Sequence, residues 1–182
     1  MKFIKIIPLV VLLISIGGFT QNETNNSSAE LEKIIKGYED HKGYDKKLYP
    51  LGLYTKEYYK SEAEYANSIL QSLNTFDPKQ LSETENISYQ LLKFVLNDKI
   101  AYYSFERYLN PLLSDSGFHS SLGFNVRPFT NYKSIKNYLN KLNAIPVFVD
   151  QYFVNLREGL KKGVSQPLVI FKGYESTYDN HI

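Results

Sequence analysis

"IPVFVDQYFVNLREGLKKG", residues 145–163, decides the fold class. Phe148, Tyr152, Leu156 and Leu160 recur at every fourth position, which gathers them on one face of a helix, whereas a half-buried strand would alternate in twos. Pro146 suits a first helical turn, where its missing N–H has no intrahelical bond to lose. Lys161 and Lys162 face the negative end of the helix dipole, and Gly163 suits the cap that follows. The stretch is predicted as a complete helix.

Working outward, the same period reappears on both sides. "NYKSIKNYLNKLNAI" (131–145) places Ile135, Tyr138, Leu139 and Leu142 on one face, with Thr130 able to cap it, and reads as a separate helix ending before Pro146. "KSEAEYANSILQSLNTF" (60–76) brings Tyr65, Ala66, Ile69, Leu70 and Leu73 together, with Ser61 at its start and Pro78 beyond its end. In "LSETE", Ser82 and Glu85 have capping-box spacing, so hydroxyl and carboxylate satisfy each other's backbone donors. The helix they open is predicted to reach Leu109, with a buried stripe of Ile87, Leu91, Phe94 or Val95, and Tyr102; Pro111 prevents continuation. Ser165 and Pro167 are placed to begin another helix toward the end. Only "YPLGLYT" (49–55) leaves a strand open. The fold class is mostly α, an antiparallel helical array.

The start of the chain reads as an address. Lys2 and Lys5 precede an apolar run from Ile6 to Ile16, followed by small and polar residues, which is the layout of a secretory signal peptide over 1–21 with cleavage between Gly18 and Asn22. The run is about half of the roughly 20 residues that a membrane-spanning helix needs. Membrane contact is therefore expected only in transit, and export to the periplasm or the cell exterior follows. The chain has no cysteine, so a lipoprotein anchor, disulfides and thiolate metal sites are excluded. Residues 22–29, polar throughout, read as a disordered spacer, and 30–182 as one helical domain whose abrupt ending in "YESTYDNHI" suggests truncation.

Composition removes further classes of function. With 21 Lys+Arg against 19 Asp+Glu the net charge is +2, and no basic run tracks a phosphate backbone, so no nucleic-acid partner is expected. His41, His119 and His181 are the only histidines, and none has another three to five residues away as a helical zinc motif requires. No Gly-x-Ser-x-Gly elbow and no phosphate-cradling glycine loop occurs. The pairs Glu62/Glu64 and Glu83/Glu85 read as first-turn residues complementing helix dipoles rather than as an acid/base pair. What remains is the loop "GFHSSLGFNVRPF" (117–129), in which Gly117, His119 and Arg127 are the candidate substrate-facing residues. A histidine tied to a backbone carbonyl, and an arginine paired with a helix carboxylate, account for the same residues.

Four pieces, "YPLGLYTKEYYKSEAEYANSILQSLNTFDPKQL", "LSETENISYQLLKFVLND", "YLNPLLSDSGFHSSLGF" and "RPFTNYKSIKNYLNKLNAIPVFVDQYFVNLREGLKKGVSQP", together resemble the N-terminal part of the bacterial family termed domain of unknown function 885. The resemblance covers the chain from about Tyr44 onward and lies in the order and spacing of the pieces. It implies the front of a larger, all-α, metallopeptidase-like fold, often exported, whose later part carries a His-Glu-x-x-Pro-Gly-His-His-type zinc motif acting on peptides. None of those motif positions exists in this chain, so no catalytic or metal residue carries over and zinc is implied for the full-length family alone. Two expectations follow: an exported fragment, inactive by itself, of a zinc-peptidase-like protein, or a self-contained secreted helical binding module without enzymatic activity.

Overall fold

The computed structural model describes residues 17–75, 77–112, 117–118 and 129–173, with side chains from Asn26 onward apart from Ile170. Its helices are α1 (Gly17–Glu39), α2 (Lys56–Leu73), α3 (Glu83–Ser104) and α4 (Tyr132–Lys161), with short 3-10 turns at Pro78–Gln80, Arg107–Leu109 and Leu168–Phe171. No strand is present among the described residues. The mostly α reading holds.

α2 and α3 form an antiparallel hairpin. Tyr59 meets Tyr102, Glu62 meets Lys99 and Tyr89 meets Leu73, so partner numbers rise on one helix as they fall on the other. α1 lies across this pair: the Tyr65 hydroxyl donates to the Gly37 carbonyl at 3.1 Å, and Ser27 Oγ donates to Gln80 Oε1 at 2.7 Å. Between the three helices lie Leu31, Ala66, Leu73, Tyr89, Leu92 and Leu96, flanked by Ile34, Ile35, Ile69 and Leu70. Each buried leucine contributes about 1.5–3 kcal/mol of transfer free energy. That closed aliphatic core explains why the polar stretch 22–29, read from composition as a spacer, lies inside α1 in the described backbone. Leu31 buries itself one turn later, and the Ser27 contact fastens the turn between.

Helix ends are where the sequence expectations move. α2 begins at Lys56 because the Thr55 hydroxyl accepts from the Tyr58 N–H at 3.2 Å; Ser61, the expected cap, instead donates back to the Tyr58 carbonyl. The Ser82–Glu85 capping box forms as expected. α3 stops at Ser104 rather than Leu109, because Glu106 adopts left-handed backbone (φ 50°) and the following 3-10 turn buries Tyr108 and Leu109. The expected stripe of α3 also rotates. Tyr89, Leu92 and Leu96 are buried, whereas Ile87 (63% exposed), Leu91 (61%) and Phe94 (71%) face outward.

The two helices predicted on either side of Pro146 are one. α4 runs unbroken through Pro146, capped by Asn131 in a reciprocal pair with Ser134 rather than by Thr130. A proline here removes one backbone bond to the carbonyl four residues back. Both Pro146 and Leu142 are exposed, which leaves that carbonyl open to water. After Lys161 the chain turns at Gly163, and Leu168–Phe171 make a single 3-10 turn where a further helix was expected.

Candidate functional site

α4 does not pack on the aliphatic core. It docks against the extended segment before α2 and the 3-10 turn after α3. Gly52 has φ +108°, a conformation that side chains disfavour, and it turns the chain so that residues 53–55 run alongside α4. There the Tyr54 N–H donates to Gln151 Oε1 at 2.6 Å, and Asn155 Nδ2 donates to the Tyr54 carbonyl at 2.7 Å. Two carboxamides one turn apart thus take both polar groups of one residue's backbone. This segment was the one ambiguous strand of the sequence reading; its ladder partner is a helix face, not another strand.

Aromatic rings complete the seam. Tyr54 lies 4.7 Å from Tyr152 and edge-on to Phe148, and Phe118 stacks on Tyr152 at 4.5 Å and 10°. Tyr59 stacks on Tyr108 at 5.3 Å. Burial pushes the Tyr59 and Tyr152 hydroxyls far above the ordinary phenol range, so they stay neutral. Farther along, Gly159 lets α4 approach the Leu109 carbonyl: a Cβ there would stand 2.6 Å from it. Lys162 Nζ donates to Glu106 Oε1 at 2.5 Å, and Gln166 donates to the Leu112 carbonyl.

A second constellation ties the first three elements together. The Glu62 carboxylate, with its side chain 10% exposed, accepts from His41 Nε2 at 2.8 Å and from Lys99 Nζ at 2.6 Å. His41 stacks on Tyr65 at 3.7 Å, and Lys99 sits over the Tyr38 ring. Burial alone would raise the Glu62 carboxyl, but the hydrogen bonds and charges of Lys99 and His41 outweigh it and hold the group below the usual carboxylate range. The neighbouring Tyr58 hydroxyl is pushed up to about 12 by its own burial and by that carboxylate. Glu62 was read as a first-turn residue; with α2 starting at Lys56 it lies in the second turn and points inward. Both its oxygens are engaged and it lines neither cleft beside α4. It acts as a clasp between the 41–43 loop, α2 and α3.

Two clefts flank α4. One, of about 330 Å³, lies between Lys47–Gly52 and the Asn140, Asn143, Val147 and Phe148 face; the other, of about 630 Å³, lies between Thr55–Glu57, Tyr108–Leu109 and the Asp150–Lys161 face. Val147 and Gln151 line both. Of the loop residues singled out in the sequence, Gly117 bridges to Leu112 and carries Phe118 onto Tyr152, which starts the loop over the aromatic seam. His119 and Arg127 lie outside the described residues. Among the described residues no group of three or more His, Asp or Glu could hold a metal ion. The described residues therefore do not fit zinc, and no helix among them is long and apolar enough to cross a membrane.

A family model described as "Bacterial protein of unknown function (DUF885)" matches residues 37–182. The chain belongs to this family. The match begins near the end of α1 and takes in the clasp, the seam and both clefts, so these are parts of a DUF885 domain. No curated protein and no solved structure matches the chain. Sequence reasoning missed the Glu62 clasp because its members are spread over 41, 62 and 99, and it missed the carboxamide pair because glutamine and asparagine on a helix carry no chemical signature. The spacing of Gln151 and Asn155 on the face that also carries Phe148 and Tyr152 was the available signal.

Proposed function

We propose that this chain is the helical front portion of an exported DUF885 protein whose catalytic chemistry, of the zinc-peptidase kind, resides in further sequence, and that it is inactive by itself. The observation that carries this reading is the outward stripe of Ile87, Leu91 and Phe94 on α3. Three large apolar side chains at helical spacing gain nothing from facing water, and such stripes are the surfaces other protein covers. Leu139, Leu142 and Val154 on α4, and Leu168 and Val169 beyond it, extend the uncovered apolar surface. The clefts beside α4 support a second reading, a secreted helical binding module. Sequencing the source DNA in frame beyond the Ile182 codon tests the choice. A continuing frame that encodes a His-Glu-x-x-Pro-Gly-His-His-type helix is the expected result; a stop codon followed by unrelated sequence would overturn the first reading.

A further inference from the structure

The backbone of Tyr54 is held by two helix carboxamides, Gln151 accepting and Asn155 donating. A carboxamide carries the same donor and acceptor as a peptide unit, so a row of them along a helix presents the hydrogen-bonding edge that an extended chain needs. Because Tyr54 N–H lies on Gln151 and its carbonyl on Asn155, the extended segment runs in the same direction as α4. The adjoining cleft is lined by two more carboxamides on that helix, Asn140 and Asn143. Both are exposed, and neither has a side-chain hydrogen bond among the described residues. Their separation of three residues is about 4.5 Å of helix rise, against about 6 Å for the pair that grips Tyr54. The opposite wall, Lys47 to Gly52, contributes the exposed Leu48 and no acidic group.

We propose that the cleft between residues 47–52 and α4 binds an extended polypeptide segment supplied by another molecule, gripped through its backbone by Asn140 and Asn143 in the way Gln151 and Asn155 grip Tyr54. The occupant is a peptide strand with apolar side chains at alternate positions, because the cleft floor is Ala144, Val147 and Phe148 and its rim is uncharged apart from Lys47. Such a strand also has a path onward, since Val147 and Gln151 continue into the larger cleft. This site is independent of the zinc-peptidase reading: it needs no metal, and its test reads binding alone.

The probe is a fluorescein-labelled pool of decapeptides with apolar residues randomised at alternate positions, titrated with the full chain and followed by anisotropy. Saturable binding is expected, weakened at least tenfold in Asn140→Leu/Asn143→Leu with an unchanged circular dichroism spectrum and melting midpoint. The same loss is expected when the pool is N-methylated at alternate amides, since that removes backbone donors and leaves the side chains. No saturable binding, or equal binding by the double variant and by the N-methylated pool, overturns the proposal. If the double variant melts earlier, Asn143→Ser replaces it, and a retained affinity there counts against the site.

Discussion

The three-helix unit of α1, α2 and α3 and the seam along α4 are held by different kinds of contact. In the first, Leu31, Leu73, Leu92 and Leu96 fill a shared interior where one aliphatic group can stand in for another of similar volume. In the second, Tyr54, Phe148, Tyr152 and Tyr108 pack by ring orientation, and the joint depends on Gln151 and Asn155 meeting one residue's backbone. Non-directional burial gives strength, and directional contacts set where one part sits relative to the other. The seam rather than the core is therefore the part that determines the shape of the clefts.

The sharpest way to break this contrast is to remove volume from the core. Leu96→Ala deletes a fully buried side chain and should cost about 2–5 kcal/mol, read as a lower urea midpoint with far-ultraviolet and tyrosine-fluorescence signals falling together. If amide exchange at Leu92 quickened while Tyr54 and Asn155 stayed protected, the two regions would be unfolding separately. Next comes the clasp. Glu62→Ala leaves Lys99 and His41 facing a buried void, but both are partly open to water, so about 2 kcal/mol is expected rather than the larger cost of a wholly buried pair. Because the folded carboxyl is held below its ordinary value, its contribution is complete above the unfolded carboxylate pKa of about 4.3 and fades as pH falls through the folded value. Denaturant midpoints of parent and variant should accordingly differ at pH 7 and draw together as the pH falls below about 4.3.

Smaller changes probe the seam. Gly159→Ala sets a methyl against the Leu109 carbonyl; overpacking of about 1–3 kcal/mol opposes a helix-propensity gain of about 1 kcal/mol. Net destabilisation is expected, and a higher melting midpoint would mean that α4 is free to stand off from Leu109. Asn155→Leu strands the Tyr54 carbonyl at a cost of about 1–2 kcal/mol. Here the diagnostic measurement is hydrogen exchange, which should quicken at Tyr54 and its neighbours while Leu92 and Leu96 remain protected. Uniform quickening in both regions would join seam and core into one cooperative unit.

The contrast also explains how much could be read in advance. Helix period and the Ser82–Glu85 box are local signals, and they correctly led to a mostly α chain. Which face of α3 turns inward is not local: Ile87, Leu91 and Phe94 repeat as regularly as Tyr89, Leu92 and Leu96, and only the position of α1 and α2 selects between them. Pro146 misled because a single missing bond on an exposed face is tolerated within a long helix. The clasp joins three distant positions and leaves no trace in spacing, whereas the grip on Tyr54 spans about a hundred residues of sequence and shows only as the four-residue spacing of Gln151 and Asn155. The His119 loop stood out for its chemistry, and its described start shows only that it begins over Tyr152.

The smallest effect carries the widest consequence. Leu91→Ser replaces an apolar side chain on the outward face of α3, and in this chain the change should stay within about 0.5 kcal/mol, as exposed substitutions do. Leu92→Ser, one residue along on the buried face, should be severely destabilising, so the adjacent pair calibrates the helix orientation directly. A large effect of Leu91→Ser in the 182-residue chain would mean that the stripe is already covered and would remove the observation on which the proposed front-portion role stands. In a longer protein that covers α3, the same substitution should instead approach the cost of its buried neighbour. A rise from near zero to about 2 kcal/mol on lengthening the chain would identify α3 as the face on which the remainder of the protein packs.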